Sequence, residues 1–350
     1  VPPLTAANRP LVTLYDVALL DLDGVVYLGP YAVPAAPEAL ATARDSGMHL
    51  AFVTNNAARP PAVVAAHLTD LGIAADPAEV ITSAQAGARY LAERLPEGAK
   101  VLVIGTTGLY EALTDRGLVP VATAEDDIAA VIQGYSPDLN WHQLAEGAVA
   151  IGRGLPWVAT NVDPSVPSPR GPLPGNGATV MALRHSTGVD PVVAGKPQPT
   201  MHRETILRTG AERPIVVGDR LDTDIEGANS VGCPSLLVLS GVTTAGELVA
   251  AVEQHRPTYL GHDLSALLTP HPGVETGEGG WRCGDWSATG DDGGLVLTRQ
   301  PVAAVAPDDL DPLRVVAVAA WSVHDRTGRT PAISGGDAAA EAALAKLGLA

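Results

Sequence analysis

Only two cysteines, Cys233 and Cys283, occur in 350 residues. That is too few for a disulfide framework in a chain of this length, so two reduced thiols of minor structural weight are expected. Lysine is almost missing. Lys100, Lys196 and Lys346 are the only three, and arginine supplies the rest of the 22 basic residues. Aromatic residues make up 4% of the chain, with a single phenylalanine. No apolar run approaches the length needed to span a bilayer. The first 16 residues carry no basic segment followed by an apolar stretch, so no secretory signal is expected. A soluble, cytoplasmic protein with no membrane partner follows from these absences. Positive charge is also scarce, and the formal net charge is −17. Such a chain repels nucleic-acid phosphates, which excludes a nucleic-acid partner. Any phosphate-bearing substrate would need positive charge supplied locally.

Apolar residues are abundant at 46%, against 17% charged, the balance of a cored globular protein of more than one domain. Short apolar runs alternate with helical patterns. Strands are expected at Val17–Leu20, His49–Val53, Val80–Thr82, Val101–Ile104, Ile128–Gln133, Trp157–Thr160, Val192–Ala194, Pro214–Val217 and Ser235–Val238. Helices are expected near Ala35–Ser46, Pro60–Leu71, Ala84–Leu95, Leu109–Arg116, Trp141–Arg153 and from Gly177 to about His185. Alternation of this kind implies parallel sheets with crossover helices. Near Thr269 the composition shifts. Pro270 to Gly280 is rich in proline and glycine and reads as a linker. Beyond it, Trp281–Ser287 and Leu295–Thr298 read as a hairpin, Asp308 as the cap of a helix running to about Val323, and Asp337–Leu347 as a last helix.

Four polar clusters fall where strands should end. The run Val17-Ala18-Leu19-Leu20 stops at Asp21-Leu22-Asp23-Gly24. Two carboxylates there need a cation, a proton or a chemical role; at i and i+2 they would leave a strand on one side. Thr54-Asn55-Asn56 follows the second strand, Lys196 sits in Ala194-Gly195-Lys196-Pro197, and Gly218-Asp219-Arg220-Leu221-Asp222-Thr223-Asp224 follows Ile215–Val217. Singly, each has a plain reading as turn, polar loop, solvated lysine or helix cap. Jointly they share one topological position, the carboxyl edge of a parallel sheet, where ligands of such folds bind.

In order and spacing the four clusters resemble the haloacid dehalogenase superfamily of aspartate-nucleophile phosphatases. The similarity is to the subgroup that acts on nucleotides, pyridoxal phosphate and glycerol phosphate, and it spans about residues 12–265. The resemblance implies a Rossmann-like α/β core of parallel strands (residues 1–83 and 190–268) with an inserted α/β cap (84–189), hinged near Ser83-Ala84 and Asp190-Pro191. It implies Asp21 as nucleophile and Asp23 as the acid and base. It implies Mg²⁺ held by Asp21, the Asp23 carbonyl and Asp219, with Asp224 orienting that shell. Thr54, Asn55 and Asn56 would bind the phosphoryl oxygens, Lys196 would add a positive charge, and Asn161, in a cap loop from Ala159 to Gly177, would face the leaving group. Arg220 reads either as a phosphate partner or as half of a local ion pair. The expected substrate is a small phosphate monoester, with glycerol 3-phosphate first and pyridoxal phosphate, sugar phosphates and nucleoside monophosphates as alternatives. A non-catalytic phosphate-binding protein is the reading from another class. Dimers through the cap are also implied.

Residues 269–350 form a small α+β C-terminal domain that resembles, weakly, a truncated acetyltransferase-like fold. The coenzyme loop Arg/Gln-x-x-Gly-x-Gly/Ala is missing from it, since Arg326-Thr327-Gly328-Arg329 does not match. Acetyl transfer is therefore not expected, and docking onto the core or regulation is.

Overall fold

The computed structural model describes residues 3–166, 170–277, 279–300 and 309–350. It divides into two compact units, Val1–Leu50 with Ala211–Ala350, and Ala51–Gly210. The first unit holds parallel strands in the spatial order Tyr259–Gly261, Ser235–Val238, Pro214–Gly218, Val17–Leu20. Val17–Leu20 is buried along its whole length, as a parallel strand covered on both faces must be. Its partner is Pro214–Gly218, with Leu20 opposite Val217. The strand Tyr259–Gly261 lies outside the expected set. Its three residues end in Gly261, so no continuous apolar run marks them.

In the second unit Phe52, Val53 and Thr54 of the strand His49–Thr54 pair parallel with Val80–Thr82, with Thr54 opposite Thr82. A separate five-stranded sheet runs in the order Val192–Val193, Trp157–Ala159, Ile128–Gln133, Lys100–Ile104, Val119–Val121. Its pairings among the described residues are parallel, so the expected strand–helix alternation holds here as well. Apolar residues of the helices Trp141–Gly152 and Asn176–Thr187 close one face of that sheet over Leu102, Ile104, Val131 and Trp157.

The C-terminal segment departs most from expectation. The stretch read as a linker contains a strand, Glu275–Gly277, that pairs antiparallel with Gly280–Cys283. The expected Trp281–Ser287 strand is broken at Gly284-Asp285, so that Cys283 and Trp286 face each other across a turn. Gly284 adopts φ +54°, a left-handed conformation that ends a strand. The hairpin itself joins Trp286–Asp291 to Gly294–Arg299. Asp308 lies outside the described residues; the long helix covers Asp311–Thr327. It crosses back to Ala332–Gly335, which pairs parallel with Gly294–Arg299, and the chain ends in the helix Ala338–Leu347.

This segment is not an appendage. Its long helix contributes Leu313, Val316, Ala317, Ala320 and Trp321 to one hydrophobic cluster with Leu221, Ile225, Leu237, Leu248 and Leu260 of the parallel-sheet part. About 80 residues bury little apolar surface alone, and sharing a core offsets that shortage. Both cysteines are buried, and burial pushes the Cys233 thiol up to about 12.

His202, on the helix Pro199–Thr209, is fully buried and neither ring nitrogen has a hydrogen-bond partner. Burial, with the Lys196 charge adding to it, lowers its pKa from 6.5 to about 3. The unfolded chain therefore binds a proton near pH 6.5 that the folded chain refuses. Stability from this group is complete above pH 6.5 and is lost as pH falls toward 3. Between pH 7 and 5 the native protein should lose about 2 kcal/mol that a His202→Leu variant keeps. Urea midpoints measured across that interval check this; parallel pH profiles for the two proteins would refute it.

Candidate functional site

In the first unit, the Asp21 amide donates to the Val217 carbonyl (2.9 Å), extending the parallel ladder one residue past Leu20. The chain then turns. The Leu22 carbonyl accepts from the amides of Val25, Val26 and Tyr27, at 3.3, 2.9 and 3.1 Å, and the Gly24 amide donates to the Tyr27 carbonyl at 2.8 Å. Asp23 therefore sits in a turn with an exposed side chain. The same-side rule for i and i+2 presumes a continuing strand, and here the strand has ended.

Asp21 is instead grouped with two carboxylates from the cluster after Pro214–Gly218. One oxygen each of Asp21, Asp219 and Asp224 lie within 4.8 Å of one another. Asp219 and Asp224 are buried, at 0% and 1% exposure. Charges about 4.8 Å apart repel by about 3.5 kcal/mol per pair at an effective dielectric of 20. Three such groups, two of them out of water, call for a cation between them. The donor set is oxygen only, which suits a hard divalent ion such as Mg²⁺.

Backbone geometry forms a cradle for Asp219. Its Oδ2 accepts from the Val242 amide at 2.7 Å. Gly24 (φ +92°) and Gly241 approach the same carboxylate, and a Cβ on either would collide with it. The Ser240 hydroxyl donates to the Gly24 carbonyl at 2.7 Å, tying the two glycine segments together. Sequence reading passed over Ser240-Gly241-Val242. The available signal was their position just after the apolar strand Ser235–Val238, the fifth place where a strand end meets small polar residues. Asp224 accepts from the Arg220 amide at 3.2 Å. Arg220 itself pairs with Asp222, at 3.1 and 2.9 Å, the local ion-pair alternative.

The second unit gathers a different set. Lys196 is buried, at 4% exposure, and its Nζ donates to the Val53 carbonyl at 3.2 Å. Asn55 clamps the Lys196 backbone from both sides: its Oδ1 accepts from the Lys196 amide at 2.8 Å, and its Nδ2 donates to the Lys196 carbonyl at 3.2 Å. The same Nδ2 donates to Asp163 at 3.3 Å. The Asn55 side chain, expected to donate to a phosphoryl oxygen, is thus engaged in holding Lys196 and the Asp163 loop. Asn161 reaches the same point from the other direction. Its Nδ2 donates to the Asn55 carbonyl at 2.8 Å, where the Ser83 hydroxyl also donates at 2.6 Å. Thr54 is buried, and its hydroxyl accepts from the Asn56 amide at 3.1 Å. The Asn56 side chain is exposed and accepts from the Ala58 amide at 2.8 Å. Asp163 and Ser83 are the residues that motif reading missed here, because their partners lie 108 and 28 residues away in sequence.

Comparison with known proteins agrees with these features. Residues 18–119 match the model of haloacid dehalogenase-like hydrolases, and residues 193–267 match an HAD-hydrolase-like model. Residues 283–349 match a GCN5-related N-acetyltransferase like domain. The chain is 44% identical over 345 residues to a D-glycerol 3-phosphate phosphatase of Mycobacterium tuberculosis, covering 96% of this chain and 94% of that protein. It is 36% identical to an acid sugar phosphatase of Staphylococcus saprophyticus over 73% of this chain and 97% of the relative. Among solved structures, a glycerol phosphate phosphatase from M. tuberculosis in complex with magnesium superposes with a TM-score of 0.88 at 42% identity, over 98% of this chain and all of that one. A p-nitrophenyl phosphatase from Archaeoglobus fulgidus reaches 0.68 at 31% identity, over 73% and 98%. With its carboxylate group at the sheet edge and relatives of this identity over nearly its whole length, the chain belongs to the haloacid dehalogenase-like hydrolases.

Proposed function

We propose that this protein is a magnesium-dependent phosphatase that hydrolyses glycerol 3-phosphate to glycerol and inorganic phosphate. The observation that carries the reading is the Asp21–Asp219–Asp224 group, which concentrates negative charge that a cation among the three would offset. Asp21 is the partly exposed member and so the one able to attack. Its carboxylate forms a bond to phosphorus as the bond to the leaving oxygen breaks, giving an aspartyl-phosphate. Asp23, exposed in its turn, gives a proton to the leaving alkoxide and then takes one from the water that attacks the same phosphorus. That second displacement frees Asp21 and releases phosphate. Asp21, Asp219 and the Asp23 carbonyl would hold the magnesium ion, which would supply positive charge to the phosphoryl oxygens. The Thr54 hydroxyl donates to a phosphoryl oxygen, and Lys196, fixed by Asn55, adds a point charge beside it.

The substrate choice rests on likeness along the full length, the C-terminal segment included, to a relative named for D-glycerol 3-phosphate. A sugar phosphate is the second reading. It is favoured by the acid sugar phosphatases, whose similarity stops at 73% of this chain. We read residues 84–189 as the cap that selects the leaving group through Asn161, and the protein as cytoplasmic. Exposed Trp141, Val149 and Met181 on two cap helices support pairing of two copies through the cap.

Asp21→Asn should lower kcat for glycerol 3-phosphate by at least about 10⁴-fold, and retention of near-normal turnover would exclude the covalent route. Lys196→Met should cost about 10²- to 10³-fold in kcat/KM, measured by phosphate release. Chelation by EDTA should abolish activity, and Mg²⁺ should restore it. In a panel of small phosphate esters containing both glycerol phosphate enantiomers, glycerol 3-phosphate should give the highest kcat/KM; a sugar phosphate ranking first would select the second reading.

A further inference from the structure

The loop that cradles Asp219 is anchored at two ends. On one side Ser240 bonds the Gly24 carbonyl, the Val242 amide bonds Asp219 Oδ2, and the Thr243 amide donates to the Asp219 carbonyl at 3.2 Å. On the other side the loop runs directly into a short helix, Ala245–Val249, capped by Thr244 and Glu247. That helix makes few turns and has little stability of its own. Part of what holds it comes from the C-terminal segment. Trp321 Nε1 donates to the Leu248 carbonyl at 2.9 Å, in a buried setting. The Arg256 Nε donates to the Ala251 carbonyl at 3.1 Å, and its two terminal nitrogens grip Asp325 at 2.7 and 2.6 Å. The Arg256 guanidinium also lies 5.3 Å from the centre of the Trp321 ring. Leu248 and Val249 share their hydrophobic cluster with Trp321, Val316 and Ala320.

A continuous set of bonds therefore runs from the long C-terminal helix, through Leu248 and Ala251, to the loop that fixes the Asp219 carboxylate. We infer that the acetyltransferase-like segment acts as a brace for the metal-binding carboxylate, with Trp321, Asp325 and Arg256 as positioning residues. The inference rests on the reading of Asp219 as a metal ligand. It accounts for a segment that lacks a coenzyme loop yet donates its core to the catalytic part. The brace works through orientation. A carboxylate oxygen that drifts by a fraction of an ångström loses affinity for a cation demanding near-ideal octahedral geometry. Groups that orient ligands alter affinity even though they never touch the ion.

The test uses the full chain and magnesium chloride as probe, without substrate. Trp321→Phe keeps the ring and removes the donor; Asp325→Asn keeps the shape and removes the charge. Leu344→Ala, in the last helix and in the same core, serves as a destabilising control off the bonded path. Calorimetric titration should show Mg²⁺ binding weakened roughly 3- to 10-fold in the first two variants, below the roughly 10- to 100-fold typical of groups bonded directly to a ligand. Leu344→Ala should lower Tm and leave Mg²⁺ affinity unchanged. At saturating Mg²⁺ the KM for glycerol 3-phosphate should be the same in all four proteins. Wild-type Mg²⁺ affinity in Trp321→Phe and Asp325→Asn, with only Tm reduced, would overturn the brace. Failure of the unsubstituted chain to bind Mg²⁺ would overturn the metal reading and the brace with it.

Discussion

Asp219 is the constraint around which the first unit is arranged. A carboxylate with no solvent exposure is tolerable only if its surroundings favour the charge. Here a backbone amide bonds one oxygen, and two other carboxylates stand close enough that a cation among them satisfies all three. The demand propagates outward. Two chain segments must pass so near Asp219 that neither can carry a side chain, which places glycine at 24 and 241. One of those segments follows the strand Val17–Leu20 and the other follows Ser235–Val238, so the positions of both strands serve the same carboxylate.

The second unit meets a complementary demand. A chain of net charge −17 that handles a phosphate ester needs a cationic group held in place. Lys196 is the buried lysine among the three. Burying an ammonium costs less when its donors find oxygen partners, and the Val53 carbonyl is one. The Asn55 clamp fixes the backbone on either side of it, and Asn161 and Ser83 fix Asn55 in turn. Three separated motifs are thus one hydrogen-bonded structure around Lys196.

The C-terminal segment shows how a domain can be kept for its packing. Its sheet is covered by a helix whose other neighbours belong to the catalytic part, so neither core is complete without the other. Arg314 makes the same point in polar terms. It is buried, pairs with Asp311 at 3.0 Å and donates to the carbonyl of Leu260, the middle residue of the strand Tyr259–Gly261, at 2.9 Å. Buried groups of this kind orient an interface more than they stabilise it.

The parallel-sheet architecture was legible in the chain because buried parallel strands are continuous apolar runs, and Val17–Leu20, Ile128–Gln133 and Ser235–Val238 are such runs. The family was legible too, because Asp21, Lys196, Asp219 and Asp224 stand in motifs whose spacing is distinctive. The strands Tyr259–Gly261 and Ala332–Gly335 escaped notice, since each ends in a glycine and neither is a continuous apolar run. So did the hydrogen bonds between distant positions. Nothing in Thr54-Asn55-Asn56 tells that the Asn55 amide clamps Lys196, 141 residues on. Nothing in Ser240-Gly241-Val242 tells that it cradles Asp219, or that Trp321 bonds the helix that follows. Local pattern determined which residues stand in the candidate motifs, because propensity and motif spacing act along the chain. Tertiary structure alone decided which residues hold them, because hydrogen bonds and close packing act through space.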